Sequence, residues 1–122
     1  MQRYTICEID LAAIRHNVGV MKAHIAGGAK FLAVVKADAY GHGAVPVAKA
    51  ALEAGADMLA VAIPEEGITL RHAGITAPIL VLGGIEEAAA RDVVQNRLTQ
   101  VVFDEARIRA LANAGQLLGK TA

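Results

Sequence analysis

Residues 31–43 read Phe31-Leu32-Ala33-Val34-Val35-Lys36-Ala37-Asp38-Ala39-Tyr40-Gly41-His42-Gly43, and the way this stretch begins decides the fold. Its first five residues are apolar without alternation, the pattern of a strand buried on both faces in a parallel sheet. A glycine-containing loop follows. Val45, Ala48 and Leu52 then mark the inner side of a helix that Pro46 can open at its first turn and Gly55 can close. A lysine directly after such a strand sits at the carboxyl end of the sheet, the edge where parallel α/β folds bind ligands and project catalytic groups.

The same unit recurs along the chain. Residues 58–63 are a second strand, and Pro64, Glu65 and Glu66 start a helix with Arg71 and His72 in its last turn before Gly74, the charge order a helix dipole favours. Residues 79–82 are a third strand, Gly83-Gly84 turn the chain, and residues 86–94 are helical. Residues 99–103 are the fourth core strand, and Asp104 caps a helix whose regular part is expected to end at Gly115. Upstream, residues 5–9 are strand-like, Asp10 is a helix N-cap, and Leu11, Ile14, Val18, Met21 and Ile25 form one face of a helix ended by Gly27 and Gly28. Right-handed crossovers place the four core strands parallel. This is an α/β fold: either about four βα units of a partial (β/α)8 TIM barrel, preceded by a short strand and a helix, or an open doubly wound sheet. Strand patterns alone do not separate the two.

Composition narrows the ligand class. Of 122 residues, 55% are hydrophobic, enough for one domain or part of one. Twelve Lys plus Arg balance twelve Asp plus Glu, so no basic field attracts nucleic acid and a small molecule is the expected ligand. Cys7 stands alone, which excludes an internal disulfide and reads as a small buried residue. No His, Cys or carboxylate cluster has metal-ligand spacing, so no metal site is expected, and no Walker-type or dinucleotide glycine signature is present. Arg3, Glu8 and Asp10 interrupt any signal-peptide-like run, and no apolar stretch approaches the roughly 18 residues a membrane span needs. The expected location is cytoplasmic.

Lys36 is the residue with the most chemistry to offer. An amine among apolar neighbours loses hydration of its ammonium form, which makes the free base available for attack on an aldehyde. The same lysine could instead reach water or pair with Asp38.

Residues 33–43 match the cofactor-binding signature of the alanine racemases, and the chain resembles that family along essentially its whole length. Further matches are Glu8-Ile9-Asp10-Leu11, Arg15-His16-Asn17, Leu52-Glu53-Ala54-Gly55-Ala56, Leu59-Ala60-Val61-Ala62, Glu65-Glu66-Gly67 and Ala77-Pro78-Ile79-Leu80-Val81-Leu82-Gly83. The resemblance implies a barrel that binds pyridoxal-5′-phosphate (PLP). Lys36 would hold the cofactor as a Schiff base and then act as one of two acid/base groups at the substrate α-carbon. Tyr40 would donate its hydroxyl to the PLP phosphate. Val34 and Leu82 match positions that pack around the cofactor, although plain core packing explains apolar strand residues equally well. His42, between two glycines, reads as a loop hydrogen-bonding group rather than a catalytic one.

The implied reaction is interconversion of L-alanine and D-alanine, which supplies D-alanine for peptidoglycan, in a homodimer. In the family the second acid/base group is a tyrosine from the C-terminal β domain of the partner subunit. The tyrosines here are Tyr4 and Tyr40. Residues 1–122 therefore resemble the N-terminal part of the PLP-binding barrel domain, with the C-terminal half of the barrel and the C-terminal β domain absent. In the family the strand matching residues 5–9 joins that C-terminal domain. Such a fragment is expected to be inactive alone. A noncatalytic PLP-binding or dimerising half-barrel, and a racemase of broader amino-acid specificity, remain as alternatives.

Overall fold

The computed structural model describes residues 4–25 and 27–122; Arg3 lies outside them. Helix α1 (Leu11–His24) opens on Asp10, whose Oδ1 accepts the backbone N–H groups of Ala12 and Ala13 at 2.9 and 3.0 Å, satisfying two of the first-turn donors. There follow β1 (Leu32–Val34), a helical turn α2 (Lys36–Tyr40), α3 (Ala44–Glu53), β2 (Met58–Val61), α4 (Pro64–His72) and β3 (Ile79–Val81). After a 3₁₀ turn (Glu87–Ala89) come α5 (Ala90–Gln95), β4 (Thr99–Gln100) and α6 (Glu105–Leu118), the last capped by Asp104 Oδ1 on the Arg107 N–H at 2.9 Å.

All strand pairs are parallel and the sheet order is β1-β2-β3-β4. That order answers the question strand patterns left open. A doubly wound sheet reverses direction at a switch point, whereas a barrel adds each strand beside the one before it. The chain therefore forms four consecutive staves of a barrel.

Register separates the two faces. Val34 pairs with Ala60 and Ala60 with Leu80, so these residues share one face, and Ala33, Leu59 and Ile79 share the other. The second face packs against the helices: Val35, Leu59, Val61, Leu70, Ile79, Val81 and Val93 are each almost completely buried. Each contributes about 1.5–3 kcal/mol by leaving water. On the first face Val34 and Leu82 are 40% and 39% exposed, while the small Ala60 of β2 is buried. The expectation that the strand beginning at residue 31 is covered on both sides thus fails for β1, whose Val34 stands exposed on the face turned away from the helices.

Other departures have local causes. Among the described residues, 5–9 join no ladder, since no neighbouring strand offers them hydrogen bonds; Tyr4 and Ile6 are 94% and 75% exposed, and Cys7 is exposed rather than core. The fourth strand stops at Gln100, where no further described strand pairs with it. Helix α3 starts at Ala44, which puts Pro46 third in the first turn, still where a missing N–H costs nothing. Helix α6 runs through Gly115 to Leu118 and is ended by Gly119 at φ +61°. Gly115 instead allows the returning chain to lie against the helix, since a Cβ there would stand 2.7 Å from the Lys120 carbonyl oxygen.

At the amino end of the sheet, Arg71 ties α4 to the segments before β3 and β4. Its guanidinium donates to the carbonyls of Asn96 (2.9 Å), Ile75 (2.8 Å), Ala77 (2.7 Å) and Arg97 (2.9 Å). Among the described residues no helix is long and apolar enough to cross a membrane.

Candidate active site

The carboxyl end of β1 leads straight into the most unusual backbone of the molecule. Ala37, Asp38, Ala39 and Tyr40 have φ of +53°, +53°, +52° and +56°, so what sequence suggests is a glycine loop is a turn of left-handed helix. For L-residues this conformation costs roughly 1–2 kcal/mol each, because Cβ crowds the following carbonyl. The surroundings hold it. Ala39 N–H donates to Val35 O at 3.0 Å, and Gly41 at φ +87° closes the turn with bonds to Ala37 O and Asp38 O. Gly43 N–H donates to Asp38 O at 2.9 Å. Asp38 Oδ1 accepts the Ala44 N–H at 2.7 Å, fixing the turn to the start of α3. Within the turn, Ala39 is buried.

Lys36 and Tyr40 bracket this turn, both at the barrel's carboxyl end. Among the described residues no ion pair or hydrogen bond reaches the Lys36 amine; Asp38 is engaged with Ala44 and does not pair with it. Tyr40 is 63% exposed, leaving its ring and hydroxyl at the surface. His42 Nδ1 donates to the Ala39 carbonyl at 3.1 Å, the loop role its glycine neighbours suggest. Val34, two residues before Lys36, and Leu82, just past β3, belong to the face turned away from the helices. Gly83 follows Leu82 and lets β3 approach the loop after β2: its N–H donates to Ala62 O at 3.0 Å, and a Cβ there would lie 2.6 Å from that oxygen.

One residue of this edge, which sequence marks only as a helix opener and a point of family resemblance, also reaches the turn. Glu66, third in α4, accepts the Ala37 N–H with Oε1 at 2.7 Å. Its Oε2 accepts the N–H groups of Ala62 at 2.7 Å and Ile63 at 3.4 Å. A Glu two residues after a helix-opening Pro is the sequence signal for the second set of bonds. Nothing local signals the first, which spans 29 positions. Among the described residues no group of His, Cys, Asp and Glu could hold a metal ion.

The carboxyl edge of this parallel sheet thus carries a lysine with no partner among the described residues, a phenol four residues on, and the half-exposed apolar side chains of Val34 and Leu82. Residues 9–122 match the family model described as alanine racemase, N-terminal domain, and the chain belongs to that family. It is 50% identical over 120 residues to alanine racemase 2 of Oceanobacillus iheyensis, covering 98% of this chain and 31% of the relative. With the alanine racemase of Symbiobacterium thermophilum it is again 50% identical, covering 98% and 32%. Among solved structures, the alanine racemase of Clostridium difficile 630 superposes with a TM-score of 0.90 at 39% identity, over 98% of this chain and 33% of that one. An alanine racemase from Bacillus anthracis with bound L-Ala-P superposes with a TM-score of 0.79 at 46% identity, over 89% and 28%. The chain thus spans about a third of the length of the relatives it matches.

Proposed function

We propose that this chain supplies the Lys36 half of a PLP site and that the whole protein interconverts L-alanine and D-alanine as a homodimer. The observation that carries this reading is the left-handed turn, which sets a lysine without a partner among the described residues and a surface tyrosine at the two ends of one hydrogen-bonded segment beside exposed apolar side chains. The donor set fits the cofactor: an amine for its aldehyde, a hydroxyl for its phosphate, and methyl groups for its ring. PLP, when bound, supplies the electron sink that makes loss of an α-proton accessible.

The residues then divide the work. Lys36 Nζ anchors the cofactor and moves a proton on one face of the substrate α-carbon. Tyr40 Oη donates to the phosphate and so fixes the far end of the ligand. Val34 and Leu82 line the apolar wall and exclude water from it. Racemisation needs a second acid/base group on the opposite face, and family resemblance assigns it to a tyrosine of the C-terminal domain of the partner subunit.

The test is PLP titration of the purified chain, borohydride reduction and mass mapping. Label confined to Lys36 and abolished by Lys36→Ala supports the reading. Label scattered over Lys22, Lys30, Lys49 and Lys120 refutes it. The exposed Val34 and Leu82 favour a second reading, a PLP-binding or dimerising half-barrel without turnover. Adding a separately expressed C-terminal segment of a racemase separates the two: restored racemisation of L-alanine supports the enzyme, and a stable complex that never turns over supports the module. A racemase of broader specificity would act on other L-amino acids in the same assay.

A further inference from the structure

We infer that Glu66 is a positioning residue for Lys36: its carboxylate pins the left-handed turn and thereby fixes where the lysine amine stands. The role assigned to Lys36 rests on the function proposed above, but the pinning itself does not.

The argument is one of geometry and strain. Four consecutive residues in the left-handed region are held against their own preference. The turn's internal hydrogen bonds, and Asp38 on Ala44, tie it to itself and to α3. The start of the turn is tied to β2 through Val35, whose N–H donates to Ala60 O at 2.8 Å. Glu66 adds a second tie from outside the ladder, on the other side of Lys36. One oxygen takes the N–H of Ala37, the residue next to Lys36, and the other takes the N–H of Ala62, which follows β2. Both bonds are 2.7 Å and charge-assisted, the stronger kind. The carboxylate is therefore a strut between two adjacent βα loops, with Lys36 one peptide unit from its end. A Gln at this position offers one oxygen where the Glu offers two, so it keeps only one of the two anchors.

Hydrogen exchange and PLP labelling of the full chain test this together in wild type, Glu66→Ala and Glu66→Gln, with Glu65→Ala as the neighbouring control. In Glu66→Ala the Ala37 amide is expected to exchange at least tenfold faster while those of Leu59 and Val61 keep their wild-type rates, and the selectivity of labelling for Lys36 over Lys49 falls by at least tenfold. Glu66→Gln should fall between, and Glu65→Ala should match wild type. Unchanged exchange at Ala37 in both Glu66 variants overturns the inference. So does faster exchange with labelling as selective as in wild type. If Glu66→Ala does not fold, Glu66→Gln decides the matter on the same two readouts. If wild-type Lys36 takes no PLP, the proposed cofactor function has failed, and exchange at Ala37 alone decides whether Glu66 pins the turn.

Discussion

A single oxygen of Asp57 accepts the backbone N–H of Phe31 at 2.6 Å, joining the residue before β1 to the residue before β2. The same oxygen accepts the ammonium of Lys22, so α1 is fastened to the amino edge of the sheet at one point. These bonds favour the charged carboxylate. The Lys22 hydrogen bond, and after it the Phe31 N–H, hold Asp57 below its ordinary value near 3.8. A depressed carboxyl stabilises the fold above the unfolded-state value, and that stabilisation is lost as pH falls through the folded-state value. Asp57→Asn should therefore lower the urea midpoint at pH 7, and the gap to wild type should close as pH is lowered from about 4. An equal gap at pH 7 and pH 2.5 would refute this.

Among the described residues Arg71 has no acidic partner, and its guanidinium works as a four-carbonyl clamp. Burial and the neighbouring Arg97 both lower its pKa, yet an arginine stays charged throughout the working range. A lysine carries the same charge but cannot present donors in a planar fork. Arg71→Lys is expected to cost about 2–4 kcal/mol in chemical denaturation, since several carbonyls lose a charged donor at once. A loss below about 0.5 kcal/mol would mean that water replaces the clamp freely.

Gly83 and Gly84 look equivalent in sequence and are not. A Cβ on Gly83 collides with a backbone oxygen at 2.6 Å, whereas one on Gly84 meets only the ring of Phe103 at 3.8 Å. Gly83→Ala should cost roughly 1–3 kcal/mol, and Gly84→Ala under about 1 kcal/mol. Equal effects in thermal denaturation would show that the loop after β2 yields without cost.

In the left-handed turn the usual penalty for glycine changes sign. Ala37→Gly should stabilise the chain by up to about 1 kcal/mol, because glycine meets no Cβ clash at φ +53°. Ala48→Gly, in the right-handed α3, should destabilise it by about 1 kcal/mol or more. Urea titration of the two variants checks the opposite signs.

Sequence carries the first three strand–helix units because β1, β2 and β3 are short apolar runs set off by glycines or prolines, and a run such as residues 58–61 leaves no alternative to burial. It carries Lys36 for the same reason: the strand's end is visible. It does not carry the turn that follows. Ala37-Asp38-Ala39-Tyr40 contains no glycine, and its handedness is imposed by bonds to Val35, Ala44 and Glu66 that no window of neighbours contains. Residues 5–9 mislead for the converse reason. Their composition suits a strand, but a strand exists only where another chain segment completes its ladder.

The order β1-β2-β3-β4 also bears on how the chain is made. Each strand docks on the one synthesised just before it, so a growing polypeptide needs no segment still inside the ribosome to complete a pair already emerged. Assembly can advance from the amino end stave by stave, closing only short loops at each step, which is the cheapest route by chain entropy. Through that process the advancing edge strand is always the newest one, and it is the surface that a chaperone guarding against mispairing would have to cover.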